Sequence, residues 1–264
     1  MSSQPGPLLG ALLLLGLLVG SFLNVVIARV PQSRSILHPG SACPVCEHPV
    51  RAYDNVPVLS WFLLRGRCRD CSAPIAWRYP AVEATTGVLF VAAGLRFGWT
   101  PYLGVALVLL ASGTALFLID LEHQRLPFAI TGVTAGAAAA VLGADAFLNG
   151  ASPVVTALLS TAAWLAVYGG IWLVTSGRGM GLGDVALAPV LGLALGWLGW
   201  RATLVGLMGG FVIGALVSVV LLGSGRAGRR TRVPHGPFLL TGAGLGLFAG
   251  QPVWTAYLTM VGLT

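Results

Sequence analysis

Two sets of residues in this chain are placed to do chemistry. The first is a pair of carboxylates. Asp120 stands in "LFLIDLEHQRLP" and Asp184 in "GMGLGDVALAP", each beside a long apolar run. The chain has only eight acidic residues in 264, and a carboxylate at a bilayer edge is costly without a partner or a task. Two close carboxylates can share one proton, because like charges oppose double ionisation. One then acts as base and activates water, while the other, protonated, polarises or protonates a peptide group. This is aspartyl-protease chemistry. The glycines before Asp184 permit unusual backbone angles and close approach of a substrate strand. A plainer reading of Asp184 is a helix N-cap, since an apolar helical segment follows it.

The second set is four cysteines in two C-x2-C pairs, Cys43/Cys46 and Cys68/Cys71, with twenty-one residues between the pairs. Two such knuckles suit one tetrahedral zinc ion held by four thiolates. Redox-active dithiols and unmetallated cysteines are the alternatives. With four cysteines as ligands, no position remains for an activated water, so the metal would be structural. His38, His48, His123 and His235 have no metal-ligand spacing and read as loop residues.

The elements that must position these groups are membrane helices. The hydrophobic fraction is 56%, the mean hydropathy +0.86 and the charged fraction 9%, against roughly 25% charged in a soluble domain. Apolar stretches at about 8–27, 79–97, 102–121, 128–148, 154–175, 185–200, 202–222 and 238–260 predict eight transmembrane helices. Each is judged against a hydrocarbon core of ~30 Å. Small-xxx-small pairs (Gly16/Gly20, Gly192/Gly196, Gly206/Gly210, Gly242/Gly246) read as helix-packing seams.

The predicted fold is therefore an all-α polytopic membrane protein with a small zinc-binding domain of four cysteines between the first two spans. Its expected parts are residues 1–29 (first transmembrane helix), 30–78 (four-cysteine domain) and 79–264 (seven-helix membrane domain carrying the carboxylates). A domain of about fifty residues cannot rest on a core alone and needs a staple. The opening "MSSQPGP" lacks the basic region of a signal peptide.

All fifteen basic residues are arginine. Basic residues gather on cytoplasmic loops. Eight spans with the N-terminus outside put every arginine inside except Arg96 and Arg201, including those of "GSGRAGRRTRVPHG". Asp120 and Asp184 then share the cytoplasmic boundary, and the four-cysteine domain lies in the cytoplasm, where disulfides are disfavoured. The net charge of +7 is thus a topology signal rather than a nucleic-acid signal. Arg65, Arg67 and Arg69 suit lipid headgroups, and Trp61 and Trp77 suit interfacial anchoring. Glu83, early in the second span, is expected to pair with an arginine or sit at the helix head. A small-solute transporter is less well matched, because its acids would lie near the midplane. A non-enzymatic scaffold would not need the carboxylates. A serine protease would need a histidine near Ser112 or Ser160.

Several motifs in order resemble one family. "GLLVGSFLNVVIARVP", "CPVCEHPVRAYDNVPVLSWFLLRGRCRDCSAPIAWRYPAVE", "LIDLEHQRLP", "GMGLGD" and "VPHGPFLLTG" resemble the prepilin peptidases, bifunctional leader peptidases and N-methyltransferases of type IV pilus and type II secretion systems. The resemblance implies Asp120 and Asp184 as the catalytic pair, in a GxGD arrangement like that of presenilin-type proteases. It implies cleavage of type IV prepilins or pseudopilins between a basic leader and a hydrophobic helix. S-adenosylmethionine then methylates the new N-terminus, at a binding site that the motifs do not locate. The implied setting is the bacterial inner membrane, with membrane lipids as neighbours and no nucleic acid. Three positions depart from the family pattern: Phe128 where Asp or Asn is frequent, Ala186 where lysine is frequent, and His235 where "PFGPF" is common.

Overall fold

A computed structural model describes residues 5–225 and 233–263. Arg226, Arg229, Arg230 and Arg232 of the basic loop lie outside them. Among the described residues the secondary structure is helical, without a strand; only two isolated bridges occur, at Ala42–Pro49 and Arg67–Pro74. The chain forms two compact units, residues 1–115 and 116–264.

The first unit holds α1 (Pro5–Arg29), a 3-10 turn (Val30–Gln32), a second (Ala52–Asn55), the short α2 (Leu59–Leu63), α3 (Arg78–Phe97) and the first part of α4 (Pro101–His123). Helix α1 packs on α3 through glycine. A Cβ on Gly16 would lie 2.7 Å from Gly87 Cα, and one on Gly20 would lie 2.6 Å from Glu83 Cα. The backbones touch because neither glycine carries a side chain.

The second unit holds the end of α4, then α5 (Phe128–Asn149), α6 (Val154–Thr175), α7 (Leu182–Trp197), α8 (Trp200–Gly223) and α9 (Gly236–Met260). Helix α7 runs through the middle of it. Leu187, Ala188, Leu191, Ala194 and Leu195 are all buried. Gly192 and Gly196 lie against the α6 backbone, where Cβ atoms would meet Ser160 O at 2.8 Å and Ala157 Cα at 2.7 Å. Helices α8 and α9 meet likewise, with Gly242 over Gly206 and Gly210. A buried hydrogen bond of 2.9 Å joins Ser160 and Thr203. Ser112 donates to Val108 O in its own helix. Neither serine is thus engaged as a nucleophile beside a histidine.

Eight long helices occur among the described residues, and five of them (α1, α4, α5, α6 and α8) are long and apolar enough to cross a membrane. That fits a multi-pass membrane protein. The sequence reading treats α3, α7 and α9 as spans too, and each differs for a physical reason. Helix α7 has 16 residues, about 24 Å of rise. Helix α3 carries Arg78, Glu83 and Arg96, and α9 carries Gln251 and Pro252.

The α8–α9 seam yields a direct test. Gly210→Leu would drive four carbons into Phe238 O and Leu239 Cα, which lie 3.3 and 3.4 Å from the Cβ position. Overpacking of this kind costs about 1–3 kcal/mol. The expected outcome is a lower unfolding midpoint in detergent. The control is Gly132→Leu, where nothing lies within 4 Å, and it should leave the midpoint unchanged.

Candidate active site and metal centre

The second unit brings both predicted carboxylates to one place. Asp120 lies in the last turn of α4 and is 5% exposed, while Asp184 lies in the first turn of α7 and is 8% exposed. Each feels a neighbour's charge. The field of Asp120 acts on Asp184, and that of Asp184 acts on the buried Tyr168.

Three chain segments converge to hold the pair. The Gly236 N–H, at the start of α9, donates to Asp120 Oδ2 at 3.0 Å. A backbone donor to an ionised acceptor is worth about 1.5–3 kcal/mol. Pro237 behind Gly236 suits the first helical turn, where a missing N–H costs nothing. The Gly181 N–H donates to Asp184 Oδ2 at 3.3 Å. Asp184 is therefore the third residue of its helix and reaches back to the residue at the N-cap, which is Gly181. The N-cap reading of Asp184 is corrected: glycine takes that place, and the carboxylate turns inward. Its Oδ1 is buried without a hydrogen-bond partner among the described residues.

Glycine is required at two points here. A Cβ on Gly183 would lie 2.7 Å from Leu126 Cβ, and a Cβ on Gly236 would lie 2.6 Å from Asp120 Oδ2. Leu126, in the "RLP" after α4, thus wedges between α7 and α9 and fixes their spacing. Sequence reasoning singled out neither Leu126 nor Gly236. The signal available was the Gly-Pro pair at 236–237, a helix start at which a backbone N–H is free to bind an anion.

An aromatic cluster adjoins the pair. Tyr168 and Phe211 stack at 5.4 Å between ring centroids. His235 lies 5.8 Å from Tyr168, 5.6 Å from Phe211 and 6.2 Å from Phe238. His123, also expected in a loop, instead closes α4. His235 lies in the loop that leads into α9, as expected, and its ring completes this cluster just before Gly236. A phenylalanine would fill the same space, which accounts sterically for the exchange of Phe for His. The Tyr168 hydroxyl and His235 Nε2 join Asp184 Oδ1 as buried polar atoms without a partner among the described residues. Phe128 opens α5 and is exposed. Nothing in the structure explains Ala186, and Arg178 is turned to Thr175 O at 3.4 Å.

The cysteines sit in the first unit on two copies of one turn. In each, the first cysteine's N–H donates to the carbonyl five residues on, Cys43 to His48 at 3.0 Å and Cys68 to Ala73 at 2.8 Å. In each, the residue four on returns its N–H to that cysteine, from Glu47 at 2.9 Å and Ser72 at 2.9 Å, with a φ of 59°. A proline closes both turns, Pro49 and Pro74. The four Sγ atoms lie within 4.8 Å of one another, with Cys43–Cys71 at 3.7 Å and Cys46–Cys68 at 4.0 Å. A tetrahedron with metal–sulfur bonds of about 2.3 Å has edges of about 3.8 Å. The cysteines are free and positioned to hold one metal ion.

The electrostatics agree. Backbone N–H groups of Cys46 and Val45 hold the Cys43 thiol down to about 6. Cys71 keeps a helpful bond at Ala73, yet desolvation and the other three sulfurs push it up to about 12. Four thiolates cannot ionise together without a cation among them. Trp61 is tied into this segment, its indole donating to Ile75 O at 3.0 Å. Trp77 is 73% exposed. Arg69 grips Asp54 at 2.9 and 3.1 Å from Nε, and Arg51 pairs with Asp70 at 2.8 Å. These pairings give two cations of the segment a structural task. Cys43→Ser should abolish bound metal and open residues 41–75 to proteolysis, as read by metal analysis and limited digestion. Metal retained at wild-type stoichiometry would contradict the four-thiolate site.

Comparison with known proteins agrees with this arrangement. A model described as the bacterial peptidase A24 N-terminal domain matches residues 14–97. One described as the type IV leader peptidase family matches residues 107–219. The chain is similar to the prepilin leader peptidase/N-methyltransferase of Myxococcus xanthus strain DK1622, with 47% identity over 87% of this chain and 69% of the relative. It is similar to proteins of the same name from Stutzerimonas stutzeri (34% identity, 98% of this chain, 96% of the relative) and Pseudomonas aeruginosa (32%, 99% and 97%). No solved structure matches. The geometry of two buried carboxylates on α4 and α7, joined to these matches, leads to one conclusion: the chain belongs to the type IV leader peptidase family.

Proposed function

We propose that this protein is an aspartic endopeptidase that removes the basic leader from type IV prepilins or pseudopilins and then methylates the new N-terminus. The observation that carries the first half is the burial of Asp120 and Asp184 within reach of each other's field, with one carboxylate oxygen left free. The family membership and the printed names of its relatives carry the second.

Asp120 and Asp184 are the catalytic residues in this reading. The pair holds one proton between them. The ionised carboxylate takes a proton from water, and the resulting hydroxide adds to the scissile carbonyl. The protonated carboxyl donates to the carbonyl oxygen as that oxygen gains charge. Collapse of the tetrahedral intermediate expels the amine of the mature chain, which takes up a proton. The Gly236 N–H fixes the orientation of Asp120 throughout, and Gly181 does the same for Asp184. Gly183 leaves room for Leu126 and Gly181 for the Asp184 carboxylate, so the two glycines set the position of Asp184. The hydrophobic helix of the substrate enters from the lipid while its basic leader stays in the cytoplasm.

The arginine distribution supports a chain that crosses the bacterial inner membrane eight times, N-terminus outside. Residues 1–29, 30–78 and 79–264 then serve as anchor, cytoplasmic four-cysteine domain and membrane catalytic domain. Cys43, Cys46, Cys68 and Cys71 would hold zinc, whose chemistry here is structural, since four thiolates leave no open coordination position. S-adenosylmethionine supplies the methyl group for the second reaction. Prepilins and the surrounding lipids are the partners; the paired arginines of the cysteine segment argue against nucleic acid.

Two measurements test this account. Asp120→Asn and Asp184→Asn should each cut single-turnover cleavage of a prepilin by about 10²–10⁴-fold, the usual worth of a general acid or base, with the protein still inserted and metal-loaded. Full cleavage by either variant would overturn the assignment. Gly236→Ala should lower the turnover number while leaving metal content unchanged, because the added methyl group displaces the Asp120 carboxylate rather than the four-cysteine domain.

A further inference from the structure

A second site lies in the first unit. Between α1, the cysteine segment and the start of α3 is a cavity of about 470 Å³. That volume falls in the range of small-molecule sites, about 300–1,000 Å³. Its walls are mainly apolar, with a few polar groups converging: Asn24 from α1, Asp54 and Trp61 from the cysteine segment, Tyr79 and Glu83 from α3. Cys43 and Cys68 of the metal site also reach this cavity, as do Arg29, Arg51 and Arg69, the last two paired with Asp70 and Asp54.

Three features mark it as built for a ligand. Asn24 is 4% exposed; its Nδ2 donates to Tyr79 O at 3.2 Å, while its Oδ1 is buried without a partner among the described residues. A buried acceptor left unpaired loses its hydration without compensation, so it calls for a donor from outside the protein. Glu83 is 8% exposed and accepts the Val58 N–H at 2.7 Å and a bond from Ser21. Val58 is held at φ 62°, ψ −52°. For a β-branched residue this conformation is an outlier, and such strain gathers at ligand sites. The carboxylate of Glu83 holds that strained turn on the cavity wall. Trp61, fixed by its bond to Ile75 O, and Tyr79 add aromatic surface.

We propose that this cavity binds S-adenosylmethionine, with Glu83 and Asn24 as its polar anchors. The proposal rests on the methylation half of the function above and gives it a location. The ligand's chemistry meets the donor set. A sulfonium cation is favoured beside a carboxylate and over aromatic faces, which Glu83, Trp61 and Tyr79 supply. An adenine amino group or an ammonium group supplies the hydrogen that Asn24 Oδ1 lacks. The mainly apolar wall suits the purine face and the methylene groups of the amino-acid arm.

The test is calorimetric titration of the purified, metal-loaded full chain with S-adenosylmethionine, with prepilin cleavage and metal content measured on every variant. Glu83→Gln keeps an acceptor for Val58 but removes the charge. Asn24→Ala removes the unpaired oxygen. Ala28→Trp fills the cavity from α1 without touching a polar contact. The expected result is binding by the wild type and at least ten-fold weaker binding by each variant, with cleavage and metal retained. Wild-type affinity in all three would overturn this location while leaving methylation standing. A wild type that cleaves prepilin yet does not bind S-adenosylmethionine would overturn the methylation reading and this proposal together. Should Glu83→Gln lose metal and cleavage through misfolding, Ala28→Trp decides: unchanged binding there overturns the site.

Discussion

A carboxylate taken out of water must be given hydrogen bonds, a partner, or a proton to share. In the second unit that requirement falls on Asp120 and Asp184 together. The single bond from Gly236 N–H to Asp120 Oδ2 does more than orient one side chain. It ties the end of α4 to the start of α9 across 116 residues of sequence. Leu126 fills the space between that junction and Gly183. The two acids are thus held in place by backbone N–H groups, not by long flexible side chains. A helix start supplies the N–H, and glycine supplies the room for it.

The same economy of side chains runs through the helices that carry the pair. Helix α7 sits in the middle of its unit and has 16 residues. It gains stability from the close fit of Gly192 and Gly196 on α6, where dispersion replaces the hydrophobic effect as the source of association. A closely packed α7 keeps Asp184 in place. The aromatic cluster of Tyr168, Phe211, His235 and Phe238 forms another wall beside the pair. It brings a hydroxyl and an imidazole nitrogen into an otherwise apolar setting.

Much of this could be read in the sequence, for particular reasons. Asp120 and Asp184 stood out because acids are scarce in an apolar chain, and the cysteines because their spacing is periodic. The metal-site geometry follows from local turns, each built from seven consecutive residues, so sequence proximity carried it. What was hidden depends on distant segments. No local pattern marks Leu126 as the wedge between Gly183 and Gly236, or ties Glu83 to Val58. His235 was legible as a loop residue, but its ring contacts were not, because those partners lie on α6 and α8. The eight spans were read from hydropathy. Five helices satisfy length and apolarity; α7 is apolar but only 16 residues long, and α3 and α9 carry polar residues within their apolar runs.

The central claim is that Asp120 and Asp184 work as one unit on one proton. A double-mutant cycle on single-turnover prepilin cleavage tests it most directly, comparing Asp120→Asn, Asp184→Asn and the two combined. Residues acting as a unit are strongly non-additive. The account predicts that the double variant cleaves no more slowly than the slower single variant. A double variant slowed by the product of the two separate losses would show that the carboxylates act independently, and would contradict it.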